Sequence, residues 1–282
     1  MASPCEILTE AKSHRDAAKL LEIASLEAWR IEDKFSRYLA GNIIHQINTA
    51  GGSSVQVDEE TARLLSYAAE CFAISDGMFD ITSGVLRKVW KFDGSDKIPS
   101  EESVKEILPR VGWEKITFED QTLTMPAGME IDLGGIGKEY AVDLVAGLIA
   151  YSSDASFVVN FGGDLFVSGL RSSGEPWQIG LDDPQKTGEG SVGMLKIERG
   201  GVATSGDARR FLLRDGVRYS HILNPKTGWP IQDAPRSIMV VADSCVEAGV
   251  LSTVAMLNGQ NAESFLEQEG VVFWCQRGKD EG

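Results

Sequence analysis

Histidine is the scarcest ionisable residue in this chain, with three copies, and two of them read as surface residues of helices. His14 and His45 fall in or beside helical stretches. His221 ends a short strand and leads into Ile222-Leu223-Asn224-Pro225-Lys226-Thr227-Gly228-Trp229-Pro230, a turn-forming run. Imidazole titrates near neutral pH, so His221 is the candidate base for taking a proton from a hydroxyl; a purely structural hydrogen bond is its alternative role. A second group is Asp132-Leu133-Gly134-Gly135-Ile136-Gly137-Lys138, in which three glycines precede a helix. Glycine lets the backbone approach a ligand, and a helix N-terminus offers free N–H groups to an anion. Lys138 adds positive charge there, although a tight strand–helix turn with a solvated lysine would have the same spelling.

Weaker signals lie elsewhere. Ser75-Asp76-Gly77-Met78-Phe79-Asp80-Ile81-Thr82 sets an aromatic residue and two acids beside a helix end, with Phe79 either stacking on a ligand ring or filling the core. Asn160-Phe161-Gly162-Gly163-Asp164 reads as a strand end followed by a turn, and Ala203-Thr204-Ser205-Gly206-Asp207 as another turn. Glu247-Ala248-Gly249-Val250-Leu251-Ser252-Thr253 reads as buried helix, where Thr253 could simply bond its own backbone.

The elements that must hold these groups follow from hydrophobic spacing. Leu20, Ala24, Ala28, Ile31 and Phe35 recur every three or four residues and predict a helix over 15–36. Asp58 caps a second helix over 59–75, with Leu64, Leu65, Ala68, Phe72 and Ala73 inward and Gly77 as the left-handed residue that ends it. Pro99 and Ser100 lead a third over 101–108. Strands are expected at 115–118, 123–125, 157–159, 177–181, 194–197 and 238–241, interrupted by helices at 138–150 and 246–257. Helices first and strands afterwards make the class α+β, and neither common nucleotide-binding glycine pattern is present.

The 282 residues carry 27 Lys+Arg against 42 Asp+Glu, a net charge of −15. That balance argues against a nucleic-acid partner and against attraction to anionic lipid, though not against a phosphate held by backbone groups or a metal. Cys5, Cys71, Cys245 and Cys275 are widely spaced without a CxxC pair and read as free thiols. No apolar run is long enough for stable membrane insertion, and the first residues do not read as a signal peptide. A cytoplasmic location is expected for the chain as it stands, or export if a leader was removed.

Taken in order, Ser75–Thr82, Ile131–Asp143, Asn160–Gly169, Ala203–Asp207, Ser220–Pro230 and Val240–Thr253 resemble the FAD:protein FMN transferases, the ApbE family. The resemblance extends to Met1-Ala2-Ser3-Pro4 and Phe35-Ser36-Arg37-Tyr38. It implies one flavin transferase domain over residues 1–282, α+β and T-fold-related, with N-terminal helices and mixed sheets. It further implies Mg²⁺-assisted cleavage of the FAD pyrophosphate, attachment of FMN through a phosphoester to a Thr or Ser hydroxyl of an acceptor flavoprotein, and release of AMP. By the same resemblance Met78, Phe79 and Asp80 line the flavin nucleotide, and Met1 and Tyr38 close over it. Asp132, Lys138 and Ile222 contact FAD, and His221 is the base. Gly135 or Gly137 gives a backbone carbonyl to the metal, and Thr253 a side-chain oxygen.

Three positions depart from the family pattern. Gly249 stands where the family usually has Asp, one helical turn before Thr253, which removes the carboxylate from the metal shell unless Asp243, Glu247 or another acid substitutes. Glu139 replaces a usual Gly, and Asn224 stands where Asp is common. An FAD-binding protein with weak or no transfer, and an FAD pyrophosphatase yielding FMN and AMP, are the alternative readings.

Overall fold

The computed structural model describes residues 3–182, 191–207 and 210–278, so Met1 lies outside the described residues. The helices are α1 (His14–Phe35), α2 (Ile43–Thr49), α3 (Glu59–Ile74), α4 (Glu101–Ile107), α5 (Gly137–Ser152), α6 (Cys245–Leu257) and α7 (Ala262–Glu269). The strands are β1 (Cys5–Thr9), β2 (Val55–Gln56), β3 (Thr117–Glu119), β4 (Thr122–Thr124), β5 (Phe157–Phe161), β6 (Asp164–Val167), β7 (Trp177–Asp182), β8 (Ser191–Ile197), β9 (Gly200–Gly206), β10 (Phe211–Arg214), β11 (Val217–Ser220), β12 (Ser237–Ala242) and β13 (Val272–Gln276). The class is α+β.

Six strands form the central antiparallel sheet in the order β1-β5-β6-β9-β12-β13. β5 shows how it is covered. Side chains alternate along a strand, and Phe157, Val159 and Phe161 face the main core with α1, α3 and α5, while Val158 faces a cluster shared with Leu195 and Ile197 of β8. A smaller cluster joins β9 and β12 to α6 and α7.

Several expected details change. β1 precedes the helices and pairs with β5 across about 150 residues of chain, a partnership that local spacing cannot encode. In α3, Phe72 is half-buried and Ala73 exposed, and Cys71 takes the inward place. The left-handed residue that closes α3 is Asp76, at φ 51°, followed by Gly77 at φ 75°. Their N–H groups donate to Ala73 O and Phe72 O, the paired bonds of a Schellman close. Lys115 belongs to a 3₁₀ turn rather than to β3. Most consequentially, Ala203–Gly206 is not a turn: it is the second half of β9, in the middle of the sheet.

Candidate active site

The Asp132–Lys138 segment runs from the core to the start of α5. Asp132 Oδ1 accepts from the Gly134 N–H at 3.0 Å, closing a small turn, and Oδ2 is ion-paired with Arg37. Arg37 also donates to the Tyr38 hydroxyl at 2.8 Å, with its guanidinium 4.8 Å from that ring's centre. Tyr38 itself is exposed. Asp132 can come this close only because residue 84 is glycine: a Cβ there would lie 2.4 Å from the Asp132 Cβ. Gly135 packs against the edge of the Phe79 ring, and Phe79 is buried in the main core.

Met78 is half-buried beside Phe79. Asp80 is buried and its carboxylate is committed to backbone and hydroxyl donors: Thr82 N at 2.8 Å, Thr82 Oγ1 at 2.6 Å and Trp113 N at 3.2 Å. Burial pushes its pKa up despite those donors. Its other neighbours form a cavity of about 560 Å³ walled by Phe72, Asp76, Glu114, Lys115 and Lys226. That cavity touches Asp80 but not Asp132, Lys138, His221 or Thr253.

Lys138 and Glu139 open α5. Lys138 is ion-paired with Asp164 of β6 and lies 3.4 Å from Glu139 Oε1. Asp164 also accepts from Thr204 N of β9 at 2.9 Å. The next residue, Ser205, is 2.8 Å from Ser252 Oγ and 3.0 Å from Thr253 Oγ1 on α6. One polar seam therefore joins α5, β6, β9 and α6, and it contains Lys138 and Thr253. Asp164 and Ser205 were not singled out as partners in the sequence, because each lies in a different segment. Among the described residues no group of three or more His, Cys, Asp or Glu could hold a metal. Next to Lys138 in that seam, Glu139 Oε2 is buried and has no hydrogen-bond partner among the described residues.

His221 follows β11. Its Nδ1 is 2.9 Å from the Arg210 backbone carbonyl, which can only accept, so Nδ1 carries the proton and Nε2 keeps its lone pair. The ring stands edge-on to Phe92, with centroids 6.2 Å apart. Burial holds its pKa below the ordinary 6.5, so the neutral form dominates at neutral pH. The following loop is rigid for local reasons. Asn224 N donates to Trp229 O and Gly228 N to Asn224 O, both at 2.8 Å, and Asn224 Oδ1 accepts from Lys226 N. Trp90 Nε1 donates to Gly228 O at 2.8 Å, and a Cβ on Gly228 would lie 2.7 Å from Val104. Ile222 packs on the cluster containing Ala203 and Ala248, which seats the histidine loop over β9 and α6.

The ApbE family model matches residues 1–273. The chain is 29% identical over 265 residues to the FAD:protein FMN transferase of Haemophilus influenzae, covering 90% of this chain and 74% of that protein. It is 30% identical over 235 residues to the protein of the same name from Vibrio cholerae, covering 82% and 70%. The crystal structure of an ApbE protein from Thermotoga maritima superposes with a TM-score of 0.86 at 32% identity, covering 97% of this chain and 90% of that one. The flavin transferase ApbE from Vibrio cholerae gives a TM-score of 0.84 at 26% identity, covering 99% and 96%.

Proposed function

The chain belongs to the ApbE family, and from that premise we propose that it is an FAD:protein FMN transferase, working as one domain over residues 1–282. An acceptor Thr or Ser hydroxyl attacks the FMN-side phosphorus of FAD, a phosphoester forms, the pyrophosphate bridge breaks, and AMP leaves. The observation that carries the reading is His221, pinned through Nδ1 and held neutral by burial, which leaves the lone pair on Nε2 as the acceptor for the hydroxyl proton. A positioned base of this kind contributes roughly 10²–10⁴-fold.

The other residues have assignable work. Tyr38 and Met78 lie over and beside the flavin, with Phe79 supporting them from the core. Arg37 orients Asp132 toward FAD, and Asp80 shapes the 78–82 loop through its three accepted hydrogen bonds. Lys138 faces the phosphates, its charge shared with Asp164. Ile222 carries the histidine loop against the site. An all-oxygen donor set, the Thr253 hydroxyl and the Gly135 or Gly137 carbonyl together with an orphaned buried carboxylate oxygen, fits a hard divalent cation. When bound, Mg²⁺ supplies charge neutralisation on the pyrophosphate oxygens.

The test is a product assay with FAD, Mg²⁺ and an acceptor flavoprotein domain carrying a target Thr. In-gel flavin fluorescence on the acceptor is the expected result. Free FMN and AMP without labelled acceptor would make the protein a pyrophosphatase, and bound, intact FAD would make it a flavin-binding protein.

A further inference from the structure

We propose that Glu139 is the carboxylate ligand of the divalent cation in this chain, supplied from α5 into the space that Gly249 leaves open on α6. The inference rests on the FMN transferase reading and names the acid of its metal site.

Glu139 points inward from the first turn of α5 and its side chain is only 9% exposed. Oε1 has Lys138 at 3.4 Å; Oε2 is buried with no partner among the described residues. A buried carboxylate oxygen left in this condition is costly unless a donor or a cation meets it. Lys138 does not discharge that need, because it is also paired with Asp164. One lysine between two carboxylates leaves the trio with a net charge of −1, a setting that favours a cation.

Gly249 explains how the side chain fits. A Cβ at that position would lie 2.7 Å from Glu139 Cγ and 3.3 Å from Cδ, so Glu139 occupies the volume any side chain at 249 would need. Two of the three departures from the family pattern, Glu139 and Gly249, are thus one exchange: an acid gained on α5 and an acid lost on α6. The helix register supports this pairing. Asp143, one turn after Glu139 on the same face of α5, accepts from Cys245 N at 2.8 Å and Val246 N at 2.9 Å. Residue 249 lies one turn along α6 from Cys245, which sets it beside Glu139, and Thr253 lies one further turn along the same face. Asp243 and Glu247, the other acids near this helix start, are exposed. A carboxylate, a hydroxyl and backbone carbonyls form a hard oxygen set of the kind that takes Mg²⁺ or Mn²⁺.

The experiment titrates the full chain with Mn²⁺ alone, reading free Mn²⁺ by electron paramagnetic resonance and heat by calorimetry. Wild type is expected to bind Mn²⁺, and Glu139→Gln to bind it on the order of 10- to 100-fold more weakly while keeping its thermal midpoint without metal. Gly249→Ala, which removes no charge but crowds Glu139, is expected to weaken binding as well. The double variant Glu139→Gly with Gly249→Asp is expected to recover it. Wild-type affinity in Glu139→Gln, or no Mn²⁺ binding by wild type, overturns the proposal. FMN transfer by wild type is measured in parallel. A wild type that binds Mn²⁺ through Glu139 yet never labels an acceptor supports the ligand assignment and overturns the enzyme reading alone.

Discussion

His221 was legible as a candidate because the chain has so few histidines, and its neighbours spell a turn. What makes it serviceable was not legible. Its Nδ1 partner is a backbone carbonyl, that of Arg210, and carbonyls leave no signature in residue types. Lys138 was likewise visible, but its partner Asp164 comes from β6, a separate element, and Arg37 reaches Asp132 across 95 positions. The depressed pKa of His221 yields a signed expectation. A base must be unprotonated, and burial lowers the pH at which His221 gains its proton. The acid limb of kcat/KM for FMN transfer is therefore expected below pH 6.5, with full activity through neutrality. A limb above that value would mean that His221 is stabilised as a cation or is not the group that titrates.

At the scale of elements, spacing served the helices well. All five residues expected inward on α1 are buried there, and Asp58 does cap α3, accepting from Thr61 N at 3.0 Å. β9 was misread for a physical reason. Its sequence, Gly-Gly-Val-Ala-Thr-Ser-Gly, offers only Val202 and Thr204 of the residue types that mark strands and is otherwise small, because α6 packs directly on it. A Cβ on Gly201 would fall 2.1 Å from Cys245 N and 2.1 Å from Ser244 C, both backbone atoms that cannot swing away. Gly201→Ala is expected to destabilise the fold by about 1–3 kcal/mol or more, read as a lower midpoint in thermal or urea unfolding. An unchanged midpoint would show that α6 can lift from β9 without cost, and with it the seam that holds Thr253. The Gly162-Gly163 turn was read correctly, since both residues take positive φ in the two-residue loop between β5 and β6.

For the whole molecule, composition speaks to the balance of charge and not to the order of the sheet. A net charge of −15 leaves acids in excess, and some of them are fastened to the few cations that tie elements together. Glu60 on α3 is the clearest. Arg30 of α1, then Lys34 of α1 and Tyr140 of α5, hold its pKa down to about 2 against the opposing effect of burial. A carboxylate depressed in the folded state stabilises above its ordinary pKa, and that contribution fades as pH falls toward the folded value. The thermal midpoint is therefore expected to drop between the ordinary carboxylate range and pH 2, and Glu60→Gln is expected to flatten that slope; an equal slope in the variant would place the acid sensitivity elsewhere. The sheet order was not legible because pairs such as β1 with β5 join distant stretches of chain, whereas the family motifs were, since the site requires those residue types wherever the chain places them. The central claim, that this chain moves FMN from FAD to a protein hydroxyl with His221 as base, is tested most directly by the intact mass of an acceptor flavoprotein domain after incubation with FAD and Mg²⁺. The expected result is one FMN phosphoester added by the wild type, with the rate falling roughly 10²–10⁴-fold in His221→Ala. An acceptor of unchanged mass, or full-rate labelling by His221→Ala, would contradict it.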